Sequence, residues 1–284
     1  MGKIAVLGSG VMGHGIAQVF AMNGFDVILC DLHKEALDQA RKAIETSLMK
    51  LSAKQGNVSV AEAVNRIMFT TDRDNLKNAR LVIEAVTEKI DLKKEIFSEL
   101  DQICAQNTIL ASNTSSLSIA EMANATNRPD RVCGLHFFNP PPLMDLVEIS
   151  ATEKTSEETL AFVENLVARI GKESIRVKDT PLFVVNRLLV PMICEAISIV
   201  EEGTASVEDV DKAMKLGAHH PIGPLWLADM IGLDTLLHIQ QARYEETKDS
   251  KFHVPNLLKK MVAEGKLGRK SGEGFYQYKK EAAR

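Results

Sequence analysis

An α/β fold is predicted for this chain: a doubly wound parallel sheet carrying a helical hairpin insertion, followed by an all-helical C-terminal domain. Three observations predict it. Short apolar runs alternate with helix-like stretches up to about residue 180. A glycine-rich turn joins the first of these runs to a helical pattern. Beyond Pro181 the hydrophobic period is helical almost throughout.

The run from Lys3 to Leu7 suits a buried parallel strand, and it passes directly into Gly8-Ser-Gly10-Val-Met-Gly13 and a helical stretch from His14 to Asn23. In this order Gly8 permits a tight turn and Gly10 lets the backbone approach a pyrophosphate. Gly13 lets the helix lie close to the strand, and the helix N-terminus then faces the phosphates. A second strand, Asp26 to Cys30, ends at Asp31, where a carboxylate can bind ribose hydroxyls. This is a Rossmann-type dinucleotide site, and NAD is expected over NADP. More blandly, the glycines mark a turn and Asp31 a helix cap; the agreement of order and spacing favours the cofactor.

A helix from about Lys34 to Lys54, a turn at Gln55-Gly56-Asn57 and a second helix over Val60 to Ile67 read as a hairpin projecting from the sheet. Ser47, Lys50 and Lys54 share roughly one helix face, which could hold a phosphate, although a lysine-bearing face is ordinarily just solvated. Strands follow at Leu81 to Val86 and Thr108 to Ser112, with a helix from Lys89 to Cys104 between them. Ligands of such sheets sit beyond the C-terminal strand ends, which places Glu88 and the loop Ser112-Asn-Thr-Ser-Ser116 near the cofactor.

His136 and Glu148 lie twelve positions apart in HFFNPPPLMDLVE, read as two extended segments joined by a proline-rich turn that turns both side chains toward one cleft. A helix from Thr155 to Ile170 and a strand from Glu173 to Val177 close this half. The domain boundary is expected near Pro181, giving residues 1–180 and 181–284, with Asp179 or Thr180 capping a helix that carries Pro181 in its first turn. Pro191 should kink that helix just past Asn186. Asn186 is either a locally satisfied amide or a substrate-contacting donor at the inter-domain cleft. Ser206-Val-Glu-Asp209 has the form of a capping box, a long helix is expected from Leu225 to Tyr244, and a shorter one over 256–264. Such a helical bundle often buries a dimer interface.

Composition bounds the rest. The 284 residues are 45% hydrophobic and 25% charged, enough for two modest cores. A net charge of −4 without a Lys/Arg block points away from nucleic acid and anionic membrane. No spanning or leader segment is recognised, and a cytoplasmic location is expected. Cys30, Cys104, Cys133 and Cys194 are scattered, as buried reduced thiols would be, and no metal-ligand spacing appears.

The segments GSGVMGHGIAQVFA, ASNTSSLSI, GLHFFNPPPLMDLVEI, VKDTPLFVVNRLLVP, AMKLGAHHPIGP and GRKSGEGFYQY, in that order, resemble the 3-hydroxyacyl-CoA dehydrogenases over nearly the whole chain, most closely the short-chain type acting on 3-hydroxybutyryl-CoA. The resemblance implies His136 as general base, Glu148 as its orienting carboxylate, and Ser115 and Asn186 at the substrate's 3-oxygen. It implies NAD contacts from Gly8, Gly10, Gly13, Asp31, Glu88, Lys93, Ser115, Asn139 and Lys270, and coenzyme A contacts from Ser47 and Lys54. It also implies the (S)-3-hydroxy form of an acyl-CoA, whereas a homodimer is expected from the helical character of the C-terminal domain. Two residues depart from the pattern: Leu182 stands where many relatives have glycine, and Asp145 where they are often basic or neutral. Two other readings are a β-hydroxyacid dehydrogenase acting on a free acid and a non-catalytic NAD-binding protein. The first uses a lysine on the inter-domain helix, and residues 182–202 contain none.

Overall fold

Ile4, Ala5, Val6 and Leu7 of the first strand, β1 (Lys3–Leu7), are all buried, because alternate side chains feed two different cores. Ile4 and Val6 join one cluster with Ile16, Phe20, Ile44 and Leu48; Ala5 and Leu7 join the other with Phe97, Leu100 and Met122. Each of the larger of these side chains, from Val upward, stabilises the fold by about 1.5–3 kcal/mol when fully buried. A strand covered on both faces needs a continuous apolar run, which KIAVL supplies.

The computed structural model describes residues 2–55 and 59–278. It divides into two units, Met1–Phe183 and Val184–Arg284. The turn expected at Gly56-Asn57 lies outside the described residues.

In the first unit α1 (Val11–Met22) follows β1, then β2 (Val27–Cys30), α2 (Lys34–Gln55), α3 (Val60–Asn65), β3 (Ile67–Thr70), β4 (Ala79–Glu84) and α4 (Ile90–Ile103). After these come β5 (Ile109–Ser112), α5 (Ile119–Asn124), β6 (Val132–Phe137), β7 (Leu146–Ala151), α6 (Glu157–Arg169) and β8 (Glu173–Lys178). The eight strands form one sheet in the order β3-β2-β1-β4-β5-β6-β7-β8. β6 and β7 pair antiparallel, and every other neighbouring pair is parallel. The expected parallel sheet is therefore a mixed one whose last two strands run the other way. The strand order reverses at β1, between β2 and β4, so the ends of β1 and β4 flank the crevice where such sheets take ligands.

Two local expectations need correction here. The second hairpin helix stops at Asn65, and Ile67–Thr70 is an edge strand rather than helix. Only Ile67 of its four residues is buried, so its sequence carries little strand signal. Asp179 caps a different helix from the one expected. Its carboxylate accepts from the amides of Ile119 (3.0 Å) and Ala120 (2.7 Å), at the start of α5, and from the Ser118 hydroxyl.

The next helix, α7 (Val185–Glu201), accordingly begins four residues after Pro181. Leu182 and Phe183 intervene with φ of 66° and 49°, left-handed values that end any helical continuation. Pro191 lies inside α7, where it denies the Arg187 carbonyl its usual partner.

The second unit continues with α8 (Val207–Gly217), α9 (Pro224–Ile231), α10 (Leu233–Thr247) and α11 (Asn256–Ala263) around a core that includes Ile193, Ile197, Leu225, Leu236 and Leu258. Ser206 caps α8 by accepting from the Asp209 amide at 3.1 Å. The single helix expected from Leu225 to Tyr244 is broken at Gly232, whose φ of 102° no helix accommodates. Buried Asp229 holds the C-terminal segment by accepting from the amides of Phe275 and Tyr276 and the hydroxyl of Tyr278.

Candidate active site

His136 and Glu148 are cross-strand partners in the β6–β7 register. In an antiparallel pair, directly opposed side chains share one face and lie within reach of each other. The antiparallel register converts a twelve-residue separation into a contact. His136 Nδ1 lies 2.7 Å from Glu148 Oε2. Glu148 is fully buried and His136 is 6% exposed, so the imidazole is the only member of the pair that solvent or a ligand can reach. The rings of Phe138 and Phe183 pack against it, with centroids 4.5 and 5.8 Å away. A hydrogen bond to one ring nitrogen fixes the ring plane and leaves the other nitrogen for proton transfer.

The strand next to this pair is tied to the neighbouring loop. Asn113 Oδ1 accepts from the amide of Phe137, the residue after His136, at 2.9 Å, and the Asn113 amide donates to the Glu84 carbonyl at 2.8 Å. Ser115 follows in the same loop, half-buried, and its amide donates to Glu88 Oε1 at 3.0 Å. Thr114 Oγ1 donates to the same oxygen. Lys93, expected as a cofactor contact, is 1% exposed with its ammonium 2.7 Å from Glu84 Oε1 and 3.0 Å from Glu88 Oε2. It supports the loop from beneath rather than facing solvent.

The glycine turn fits a dinucleotide. Gly8 has φ of 100°, and a Cβ there would meet the Ala85 carbonyl oxygen at 2.7 Å. A Cβ on Gly13 would stand 1.8 Å from the Gly8 carbonyl oxygen, so the helix can approach the strand this closely only with glycine. At Gly10 a Cβ would meet no protein atom within 4 Å. Protein packing does not explain glycine there, whereas a ligand pressed against the backbone does. The first turn of α1 holds no acidic side chain and its N-terminus no side-chain cap, which leaves amides for an anion.

Asp31 stands at the end of β2. Its Oδ2 accepts from the Ser9 amide (2.7 Å) and hydroxyl (2.8 Å), and Oδ1 from the His33 amide (3.1 Å). Burial works to raise its pKa, but these donors outweigh burial and hold the carboxyl below its ordinary value. Ser9 thus aims Asp31 at the glycine turn.

The remaining expected residues lie on other elements. Ser47 is half-buried and Lys54 exposed on α2. Asn139 is exposed just past β6. Asn186 and Lys270 belong to the second unit. Asn186 lies in the first turn of α7, and the Lys270 ammonium is 2.5 Å from Asp234 Oδ1. Asp145 is exposed in the turn before β7, where its carbonyl accepts from the Glu173 amide. Ser9 and Glu84 carry no expectation from sequence, and Ser112 and Asn113 only one as members of the loop 112–116. Glu84 did leave a signal, since a carboxylate inside the run Leu81 to Val86 must be paired if that run is a buried strand.

Residues 3–180 match the family model described as 3-hydroxyacyl-CoA dehydrogenase, NAD binding domain, and residues 183–278 the model of the C-terminal domain. The chain is 47% identical over 280 residues to a 3-hydroxybutyryl-CoA dehydrogenase of Clostridioides difficile, covering 98% of this chain and 100% of the relative. It is 46% identical to the mitochondrial hydroxyacyl-coenzyme A dehydrogenase of Homo sapiens, covering 97% and 91%. The crystal structure of (S)-3-hydroxybutyryl-CoA dehydrogenase from Ralstonia eutropha superposes with a TM-score of 0.93 at 47% identity, covering 98% of this chain and 99% of that one. The two family models together span residues 3–278, and the chain belongs to the 3-hydroxyacyl-CoA dehydrogenase family.

Proposed function

We propose that the protein is an NAD-dependent dehydrogenase that interconverts (S)-3-hydroxyacyl-CoA, with 3-hydroxybutyryl-CoA as the preferred chain length, and the corresponding 3-ketoacyl-CoA. The observation that carries this reading is the 2.7 Å contact between His136 Nδ1 and a buried Glu148. With Nδ1–H donated to Glu148, the His136 Nε2 lone pair accepts the substrate hydroxyl proton, and Glu148 stabilises the imidazolium that forms. Bound NAD would supply the hydride acceptor for the substrate's C3. In the reverse direction protonated His136 returns its proton to the 3-oxygen.

The Gly8, Gly10 and Gly13 turn and the N-terminus of α1 hold the pyrophosphate, and Asp31 holds the adenosine ribose. As the family resemblance implies, Glu88, Lys93, Ser115, Asn139 and Lys270 would be the further contacts to the cofactor. The same resemblance assigns Ser115 and Asn186 to the substrate's 3-oxygen, and Ser47 and Lys54 on α2 to coenzyme A.

A homodimer formed through the C-terminal unit is part of this reading. It is supported by the exposed apolar side chains of Leu188 and Leu216, 71% and 70% accessible. A sedimentation run showing only monomer at micromolar concentration would contradict it. Among the described residues no helix is long and apolar enough to cross a membrane, and the four cysteines are free and buried. Both fit a cytoplasmic location.

The test is NADH oxidation at saturating acetoacetyl-CoA, with NADPH and free acetoacetate in parallel. Turnover of the thioester with NADH alone is expected. Reduction of the free acid would favour a β-hydroxyacid dehydrogenase, and NADH binding without turnover of any 3-ketoacyl-CoA would favour a non-catalytic protein.

A further inference from the structure

Glu84 is a fully buried carboxylate at the C-terminal end of β4, beside Leu7 of β1 and Ser112 of β5 in the sheet register. A buried carboxylate persists only when all its lone pairs are served. Oε2 accepts from the Ser112 hydroxyl at 2.6 Å, and Oε1 accepts from the Val86 amide at 2.6 Å and the Lys93 ammonium at 2.7 Å. Lys93 is buried as deeply, and its ammonium is shared with Glu88 Oε2 at 3.0 Å. Glu88 differs from both: its side chain is 40% exposed, and its second oxygen accepts from the Ser115 amide and the Thr114 hydroxyl. The polar groups thus form one chain, Ser112 to Glu84 to Lys93 to Glu88 to Ser115, across the two loops at the switch point.

We propose that Glu84 is a positioning residue for the cofactor. By supplying the main counter-charge to Lys93, it leaves Glu88 free to hold the Ser115 amide and to present its exposed carboxylate to the cofactor crevice. The physical reason is competition for one carboxylate. Without the charge of Glu84, the buried ammonium has only Glu88 as an ionic partner, and satisfying it draws Glu88 away from Ser115. Glu84 never touches cofactor or substrate; it acts through Lys93 and Glu88. The inference rests on the proposed assignment of this crevice to NAD.

The test is a double-mutant cycle on NADH affinity, read by fluorescence titration of purified Glu84→Gln, Glu88→Gln and the double variant, with thermal melts of the ligand-free proteins alongside. Glu84→Gln should weaken NADH binding about tenfold, a typical coupling within one hydrogen-bonded network, and raise KM for NADH more than it lowers kcat. In the Glu88→Gln background the same change should have little further effect. Equal effects of Glu84→Gln in both backgrounds, or a lowered melting temperature with unchanged NADH affinity, would overturn the proposal. Should Glu84→Gln fail to fold, Ser112→Ala removes one bond to Glu84 while leaving its charge; a smaller loss of affinity, abolished in Glu88→Gln, is then expected, and an unabolished one counts against it. Failure of the unaltered protein to bind NADH would instead sink the cofactor assignment, and this inference with it.

Discussion

His136 and Glu148 meet because they occupy one register position of the β6–β7 pair, Nδ1 to Oε2 at 2.7 Å, with the carboxylate sealed from solvent. A pair built into a sheet ladder is positioned by the fold and not by loop conformation, so its geometry should survive isosteric change. Glu148→Gln keeps the shape and a hydrogen-bonding group but loses the charge that stabilises imidazolium. Turnover should fall by about 10²–10⁴, with NADH affinity changed less than about twofold. Steady-state kinetics with a parallel NADH titration checks this; a drop confined to NADH affinity would speak against it.

Asp31 is held in place by Ser9 before any ligand arrives, and its pKa is held below the ordinary value by the Ser9 and His33 donors, which outweigh burial. Asp31→Ala should weaken NADH binding about tenfold or more, the scale of a lost charge-assisted hydrogen bond, and narrow the gap between NADH and NADPH. A low pKa keeps the carboxylate charged, so the preference for NADH should persist from pH 8 to about pH 5. Paired titrations with both cofactors across that range decide it. An unchanged ratio in the variant would show that Asp31 does not set the preference.

Leu182 has a left-handed backbone, with φ of 66°, and is 1% exposed. Glycine there would relieve about 1–2 kcal/mol of strain. Removing a buried leucine side chain costs about 2–5 kcal/mol. Burial outweighs strain, so Leu182→Gly should lower the urea midpoint. A raised midpoint would mean that Leu182 contributes little packing.

Asp101 lies in the first unit on α4, with Oδ1 2.6 Å from Arg128 Nε and Oδ2 accepting from the amide and side chain of Asn127. Burial alone would raise its carboxyl; the Asn127 and Arg128 donors overcome burial and hold it below the ordinary range. A depressed folded-state pKa contributes stability that is full above about pH 4, the unfolded value, and disappears as pH falls through the folded value. Asp101→Asn should therefore cost about 3 kcal/mol at pH 7, where it removes the counter-charge of a buried guanidinium, and progressively less toward pH 3. Thermal melts of both proteins across that range provide the check, and a difference independent of pH would refute the assignment.

Much of the first unit was legible because its signals are local and strong. A four-residue buried run before Gly8 has few interpretations, and a proline-rich stretch between two apolar runs can only turn back. The edge strand Ile67–Thr70 was not legible because one buried residue in four makes no pattern. The break at Gly232 was hidden because the apolar period of α9 continues into α10, and a single glycine inside a helical pattern is ordinarily tolerated. Asp179 looked like the cap of the helix that follows it, since sequence shows neighbours in the chain and not the α5 amides that Asp179 meets. The same limit hid the partnership of Glu84 with Lys93 and Ser112. A carboxylate in an apolar run demands a partner, but only the sheet order shows which residues β4 and β5 bring to it.

The most direct test of the account is to measure turnover of acetoacetyl-CoA and the dissociation constant of NADH for His136→Ala beside the unaltered protein. Loss of turnover by about 10²–10⁴ with NADH affinity within about twofold is the predicted result. Turnover close to that of the unaltered protein would contradict the assignment of His136 as the proton-transferring group, whatever the fold and the family resemblance imply.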